Sequence, residues 1–578
     1  MNPNSAVSDV ASGRKALLAG DARSAGDVLA PIVAANPADL EARYWLASAR
    51  LAAGDLQGEA LLDEARTLHA LLEAKGLGVD LVRCRTDAAY AGDMATRLYG
   101  HGLVAMSGVL RGQALANGAA DAQSLVSYGL ALQHQGRVEE ASEVFRIAVA
   151  NFSAPSLRQM LAYAQLFCED GERRHAHEAR LWSQICQPPP SAEHDNAPLG
   201  ERRLRIGFVA PTFAKSQLRQ FIAPIFENLD PGKVEVALYT ADVATDVDWP
   251  SWIQIKPIGR LNDADAAALI RRDRIDILND CWGHTVGSRL GVFARKPAPV
   301  QVAWINFFQT TGLPQMDYVL HAACDAPADA DEMYTEVRWP LGPVFTPFRP
   351  QSGRLPPAPT PARTEGRITF GSFNHPAKIS SVALATWAAV LRGQPDSRLL
   401  LKYRYFFDPV LQRVMRARFA AHGVEPERVV FEGHSEGADY FKAFQKVDLM
   451  LDCWPAPGST TTLETLSNGV PLLAMIGEMP NAGGVYAQSI LRAVGLTDLV
   501  TRTPEQFVVR ALELTSDLDA LDQLRARVRP NFDQGPICDE AAFARGLERA
   551  YVQMFERWSA GSRVRTAPQN RVRAPDLV

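Results

Sequence analysis

A short Pro-rich segment divides this chain into two textures that cannot share one packing scheme. Gln187-Pro-Pro-Pro-Ser-Ala-Glu-His-Asp-Asn-Ala-Pro198 is polar and proline-studded, so no helix continues through it. Before it, Ala and Leu dominate, β-branched runs are rare, and apolar residues recur at i, i+3 and i+4, the period of amphipathic helices. After it, short apolar runs alternate with amphipathic stretches, which predicts βαβ units and parallel sheets.

The helical part carries signs of repetition. Ala19-Gly20-Asp21 recurs as Ala53-Gly54-Asp55, and Gln135-Gly136-Arg137 is echoed by Asp170-Gly171-Glu172. The segment SYGLALQHQGRVEEASEVFRIAVANFSAP spaces Gly129, Ala131, Ala141 and Phe145 as a helix–turn–helix unit does. A period of ~34 residues resembles tetratricopeptide repeats. Beyond the linker, strands are expected at Leu204–Val209, Val234–Tyr239, Ile275–Leu278 and Val300–Ile305. A second Pro-rich stretch, Arg349–Pro361, interrupts the alternation, which restarts at Ile368–Phe373, Leu399–Lys402, Val429–Glu432, Leu449–Asp452 and Leu472–Ile476. The chain thus divides into a helical domain (1–186), a linker (187–200), a first βα half (201–348), a connector (349–366), a second βα half (367–560) and a tail (561–578) expected to be disordered.

Composition excludes several classes. With 578 residues, 47% hydrophobic, 22% charged and a mean hydropathy of -0.11, the chain is neither disordered, nor a disulfide miniprotein, nor a polytopic membrane protein. A net charge of -5 argues against a dedicated nucleic-acid surface. The seven cysteines are scattered without a Cys-x-x-Cys, so a zinc cluster or disulfide framework is not expected and a reducing cytoplasm fits. The N-terminal MNPNSAVSDV has no basic and apolar signal-peptide pattern, and no run approaches ~20 apolar residues, so no membrane span is expected. Of the 60 basic residues only ten are lysines, which makes each lysine informative.

Three stretches carry chemistry. In Leu449-Met-Leu-Asp452-Cys-Trp-Pro-Ala-Pro-Gly458-Ser459-Thr460-Thr461-Thr462-Leu-Glu464 an apolar strand ends in a Pro/Gly loop, and a helix opens on four hydroxyl residues. Free N–H groups and the positive end of the helix dipole suit a phosphate there, although N-capping alone also uses Ser and Thr. In Phe370-Gly371-Ser372-Phe373-Asn374-His375-Pro376-Ala377-Lys378 a strand leads to one of the ten lysines, a point charge suited to a leaving phosphate. In Asp276-Ile-Leu-Asn279-Asp280-Cys-Trp-Gly283-His284-Thr285 a histidine follows a Gly turn at a strand end, as a base, a sugar contact or a turn cap.

With these motifs, residues ~200–560 resemble the catalytic region of the O-GlcNAc transferase family, inverting glycosyltransferases of the GT-B fold whose helical repeats bind the acceptor protein. The resemblance runs through DRIDILNDCWGHTVGSRLGVFARKPAPVQVAWINFFQTTGLPQMDY, FGSFNHPAKIS, DLMLDCWPAPGSTTTLETLSNGVPLLAM and SILRAVGLTDLV. It implies twin Rossmann-like domains behind an all-α tetratricopeptide-like superhelix. It places the donor diphosphate on Lys378, Ser459, Thr460 and Thr461, the ribose on Glu464, and a donor-flanking contact on His375. His284 and Asp280 are the implied base candidates beside a donor phosphate oxygen, with Lys378 stabilising the leaving group. The implied co-substrate is a nucleotide sugar, with no metal or cofactor, no nucleic acid and no membrane.

The departures from the family pattern are specific. The loop Pro211-Thr-Phe-Ala-Lys215-Ser216-Gln-Leu-Arg219 lacks the usual His. Ser459 and Tyr440 stand where His is usual, and no Arg follows Gly477-Glu478. These changes point to a donor other than UDP-GlcNAc, or to lost activity. Architecture and divergence are similar to flagellin glycosyltransferases of stalked alphaproteobacteria, which implies a CMP-pseudaminic-type donor and flagellin as partner. The alternatives are an inactive scaffold or flagellin-binding chaperone, and another GT-B nucleotide-sugar enzyme.

Overall fold

The computed structural model describes residues 83–84, 87–118, 121–186, 193–213, 217–242, 248–323, 330–478 and 481–561, the helix Ala22–Ala35, and Ser12, Ala16 and Leu46. Ala19-Gly20-Asp21 and its recurrence Ala53-Gly54-Asp55, residues 187–192 of the linker and residues 562–578 of the tail lie outside the described residues.

The described chain forms two compact units. The first holds residues up to Phe152 together with two excursions from the C-terminal half, Lys402–Ala421 and Phe431–His434. Its helices Ala88–Gly100 and Val104–Ala116 pack as one pair, and Ala122–His134 and Val138–Asn151 as another. Asp87 and Asp121 cap two of them by accepting from Tyr90 N at 2.9 Å and Ser124 N at 2.8 Å. Gly129 is small because Phe145 lies against it: an added Cβ would stand 2.6 Å from the ring. Both residues belong to the helix–turn–helix spacing read from the sequence. Asp408, buried on the excursion, accepts from Ala105 N at 3.0 Å at the start of a helix.

The second unit contains the first sheet and all of the second except Lys402 and Phe431–Glu432. Strands β1 (Leu204–Ala210), β2 (Val234–Thr240), β3 (Gln254–Pro257), β4 (Ile277–Asp280), β5 (Val300–Ala303), β6 (Tyr318–Ala322) and β7 (Val337–Gly342) form a parallel sheet ordered β3-β2-β1-β4-β5-β6-β7. Strands β8 (Thr369–Ser372), β9 (Arg398–Lys402), β10 (Val429–Glu432), β11 (Leu449–Leu451), β12 (Leu472–Met475) and β13 (Val500–Thr501) are ordered β10-β9-β8-β11-β12-β13. The strand order reverses between β1 and β4 and again between β8 and β11, so ligand crevices open beyond the carboxyl ends of those strands. β3, β6, β7 and β13 were not foreseen. β7 carries Pro340 and lies at the sheet edge, where a missing N–H is tolerated. The last helix, Glu540–Ser559, returns to the first sheet, where Tyr551 Oη donates to Asn279 Oδ1 at 2.6 Å.

The helical domain expected to end at residue 186 divides earlier. The hairpin Pro155–Gln165 and Gly171–Ile185 groups with the sheets, not with the helices before Phe152. Trp182, 2% exposed, enters the core formed by Val209, Tyr239, Ile270, Leu278 and Phe293. Gly312, at φ +72°, backs directly onto Ala179, where a Cβ would lie 2.4 Å from main-chain carbon. His175, fully buried, is 2.8 Å from Ala162 O through Nδ1 and 2.9 Å from Thr310 O through Nε2. Trp182→Ala is therefore expected to destabilise the sheet-bearing unit by about 3–5 kcal/mol, measured by urea denaturation. A loss below ~1 kcal/mol would show that the hairpin is not part of that core.

Candidate functional site

The loop after β11 is built around one carboxylate. Asp452, 2% exposed, accepts from Cys453 N and Gly458 N, both at 2.8 Å, through Oδ1. Thr462 Oγ1 approaches Oδ2 at 3.4 Å, and Asn374 Nδ2, from the loop after β8, approaches Oδ1 at 3.4 Å. The carboxylate thus folds residues 453–458 back on the strand end. Gly458 fits only because it has no Cβ, which would stand 2.5 Å from Thr462 Oγ1. Burial pushes the Asp452 pKa up, opposed by its N–H partners and by Lys378.

The loop delivers the chain into the helix Thr460–Ser467. Ser459 occupies the N-cap yet makes no side-chain capping bond, while Thr462 is turned inward toward Asp452. The first four N–H groups of a helix have no intrahelical partner. Here they emerge with the partly exposed hydroxyls of Ser459 and Thr461, whereas Thr460 is nearly covered. Lys378 reaches the same loop from the β8 side, Nζ donating to Pro457 O at 2.7 Å. Burial lowers its pKa, and the neighbouring Cys453 and Asp452 pull it back up. The structure therefore brings Lys378 and Ser459–Thr461 together at the switch point of the second sheet. His375 lies on the same loop, its Nδ1 accepting from Ala377 N at 2.9 Å and capping the turn Pro376–Lys378.

Glu464, one turn further, is 7% exposed and accepts from Tyr440 Oη at 2.5 Å. Burial raises both pKa values, so the pair shares a proton-bearing contact rather than an ion pair. The residue read as a ribose contact and the residue replacing a family His are thus joined to each other.

The first sheet presents a different picture. Asp280, 1% exposed, turns back to accept from Gly283 N at 2.8 Å and Trp282 N at 3.3 Å, and burial lifts its pKa to about 7. His284, 2% exposed, lies 2.9 Å from Thr311 O through Nε2, which fixes the proton there. Its ring meets Trp182, His175 and Phe307 at 5.1, 5.4 and 6.0 Å between centroids. Burial and His175 lower its pKa to about 3. Both residues expected as bases are thus enclosed, because the Gly283 turn folds inward against Phe307. Thr310 and Thr311, which sequence reading passed over, are held by buried Glu336: Thr311 N donates to Oε1 and Thr310 Oγ1 to Oε2, each at 2.7 Å. Asp452 was also passed over, although a lone carboxylate closing an apolar strand before a Pro/Gly loop was a usable signal. Among the described residues, no group of three or more His, Cys, Asp or Glu could hold a metal ion, and no helix is long and apolar enough to cross a membrane.

Two parallel sheets in tandem, with a lysine and an open helix start at the second switch point, define the GT-B class of fold. The model of glycosyl transferase family 41 matches residues 172–340 and 362–547. The chain belongs to that family. It is 34% identical over 390 residues to a rice protein (Oryza sativa subsp. japonica) described as "Probable UDP-N-acetylglucosamine--peptide N-acetylglucosaminyltransferase SPINDLY", covering 64% of this chain and 41% of the relative. The corresponding Arabidopsis thaliana SPINDLY protein is 34% identical over 410 residues, covering 68% and 44%. The chain therefore spans less than half the length of these curated relatives. A mutant of Thermobaculum terrenum O-GlcNAc transferase superposes with a TM-score of 0.73 at 26% identity, covering 97% of this chain and 99% of that one.

Because Asp452 sustains the Lys378 charge, Asp452→Asn is expected to move the Lys378 pKa further below the free-lysine value of about 10.4. The measurement is the pH midpoint of Lys378 labelling by an amine-reactive reagent, which should move to lower pH. An unchanged midpoint would separate the two groups electrostatically.

Proposed function

We propose that this chain is an inverting protein O-glycosyltransferase that moves a sugar from a nucleotide-sugar donor to a Ser or Thr hydroxyl of a protein. The observation that carries the reading is the convergence of half-buried Lys378 and the uncapped start of the helix Thr460–Ser467 at one switch point. A departing phosphate there meets a fixed ammonium and free helix N–H groups, which stabilise charge as it develops without reorganisation. The acceptor oxygen attacks the anomeric carbon, the bond from that carbon to the phosphate oxygen breaks, and its electron pair leaves with the nucleotide. The hydroxyl proton needs an acceptor. With His284 and Asp280 enclosed, a phosphate oxygen of the donor is the acceptor this arrangement favours.

UDP-GlcNAc is the first donor reading, supported by the descriptions of the relatives. A CMP-linked pseudaminic-type nonulosonic acid, transferred to flagellin, is the second. It is favoured by the altered nucleoside side of the site, where Tyr440 and Glu464 are bonded to each other. In either reading the helical part docks the acceptor protein, and the reaction runs in the cytoplasm without a metal.

Intact-mass analysis of flagellin and of a generic protein acceptor, each co-expressed with the chain, tests the proposal and identifies the sugar. An added N-acetylhexosamine supports the first donor, an added nonulosonic acid the second, and no added mass the scaffold alternative. Lys378→Ala is expected to lower transfer by ~10²–10³-fold while the protein stays folded. Normal turnover in that variant would overturn the assignment of the site.

A further inference from the structure

The helix Ala482–Ala493 is tied to the donor loop from one side and to the helical hairpin from the other. Toward the loop, Asn481 Nδ2 donates to Pro455 O at 3.0 Å, and Gly483 packs so closely on Pro457 that a Cβ would lie 2.7 Å from its ring. Pro457 is the residue whose carbonyl holds Lys378. Toward the hairpin, the Glu172 carboxylate accepts from Ala482 N, at 3.2 Å to Oε1 and 3.3 Å to Oε2. Tyr334 Oη lies 3.4 Å from the same carboxylate while donating to Phe308 O at 2.9 Å, and Phe308 stacks on Tyr486 of that helix at 5.2 Å. A carboxylate at a helix N-terminus is favoured by the dipole as well as by the hydrogen bond.

Glu172 itself stands on rigid ground. It opens the helix Gly171–Ile185, which is fixed along its length by His175 on Thr310 O, Ala179 against Gly312 and Trp182 in the core of the first sheet. The helix therefore works as a brace: its body belongs to the first sheet, and its first turn holds an element of the second.

We propose that Glu172 is a positioning residue that sets the placement of the Pro455–Gly458 loop, and through it the Lys378 ammonium, by anchoring the start of the helix Ala482–Ala493. The consequence for nucleotide binding rests on the donor-site reading above, whereas the anchor does not depend on it. Losing the carboxylate frees the Ala482 N–H and lets the loop drift, which weakens binding of the nucleotide phosphate.

The test compares Glu172→Ala with Glu172→Gln, which keeps an acceptor oxygen of the same reach, in the full chain. Hydrogen exchange of the amides in residues 482–485 should quicken by about tenfold in Glu172→Ala and stay near wild type in Glu172→Gln. UDP and CMP are titrated calorimetrically into the wild-type chain, and the tighter of the two should bind about tenfold more weakly to Glu172→Ala, with recovery in Glu172→Gln. Because Gln also keeps the volume of Glu, Glu172→Met supplies that volume without an acceptor oxygen and should behave like Glu172→Ala. A Met variant that behaves like wild type, or Gln behaving like Ala, overturns the proposal. Unchanged exchange in Glu172→Ala overturns it as well. If neither nucleotide binds wild type, the donor-site reading fails while the exchange result still decides the anchor.

Discussion

A buried carboxylate that gathers backbone N–H groups at a strand end is the interaction on which the site depends. Asp452 lies at 2.8 Å from two amides that a Pro/Gly loop would otherwise leave pointing into a crevice without partners. By satisfying them, it fixes where the chain re-enters helix and leaves that helix start uncapped by its own Ser459. Burial lowers the Lys378 pKa, and Cys453 and Asp452 both act against that. Loop shape and an open helix terminus thus follow from one residue.

The first sheet contributes rigidity rather than reactive groups. Asp280 and His284 end a strand at a switch point, yet their polar atoms turn to the main chain, Asp280 to its own turn and His284 to Thr311 O. Glu336 performs the same office for Thr310 and Thr311 that Asp452 performs for the donor loop. Around this frame the hairpin Pro155–Ile185 and the returning helix Glu540–Ser559 close the unit from two sides. Interior packing of this kind transmits position well, because close-packed side chains leave little room to relax.

How much was legible in the sequence varied with the source of the constraint. The strands around both switch points were readable, because β1, β2, β8, β9 and β12 are apolar runs bounded by polar or Gly/Pro residues. The helix–turn–helix unit holding Gly129 and Phe145 was readable from helical spacing, but their contact was not. β6 and β7 were not, since His321 interrupts the short apolar run of one and Pro340 sits within the other, an edge strand. His284 was visible as a histidine on a Gly turn, but no local rule tells whether such a turn opens to solvent or folds onto Phe307.

The sequence by itself determined the change from helices to alternating strands and helices, the scarce lysine after β8, and the hydroxyl-rich helix start after β11. Each is a short-range pattern of periodicity, breakers and residue chemistry, written within a few tens of residues. Only the tertiary structure decided that the last helical hairpin belongs with the sheets, that Tyr440 closes on Glu464 across 24 residues, and that Glu172 reaches Ala482 across 310. Those contacts join segments far apart in the chain. Which partners they find is settled by the packing of the whole unit and by the cost of leaving buried polar groups unpaired.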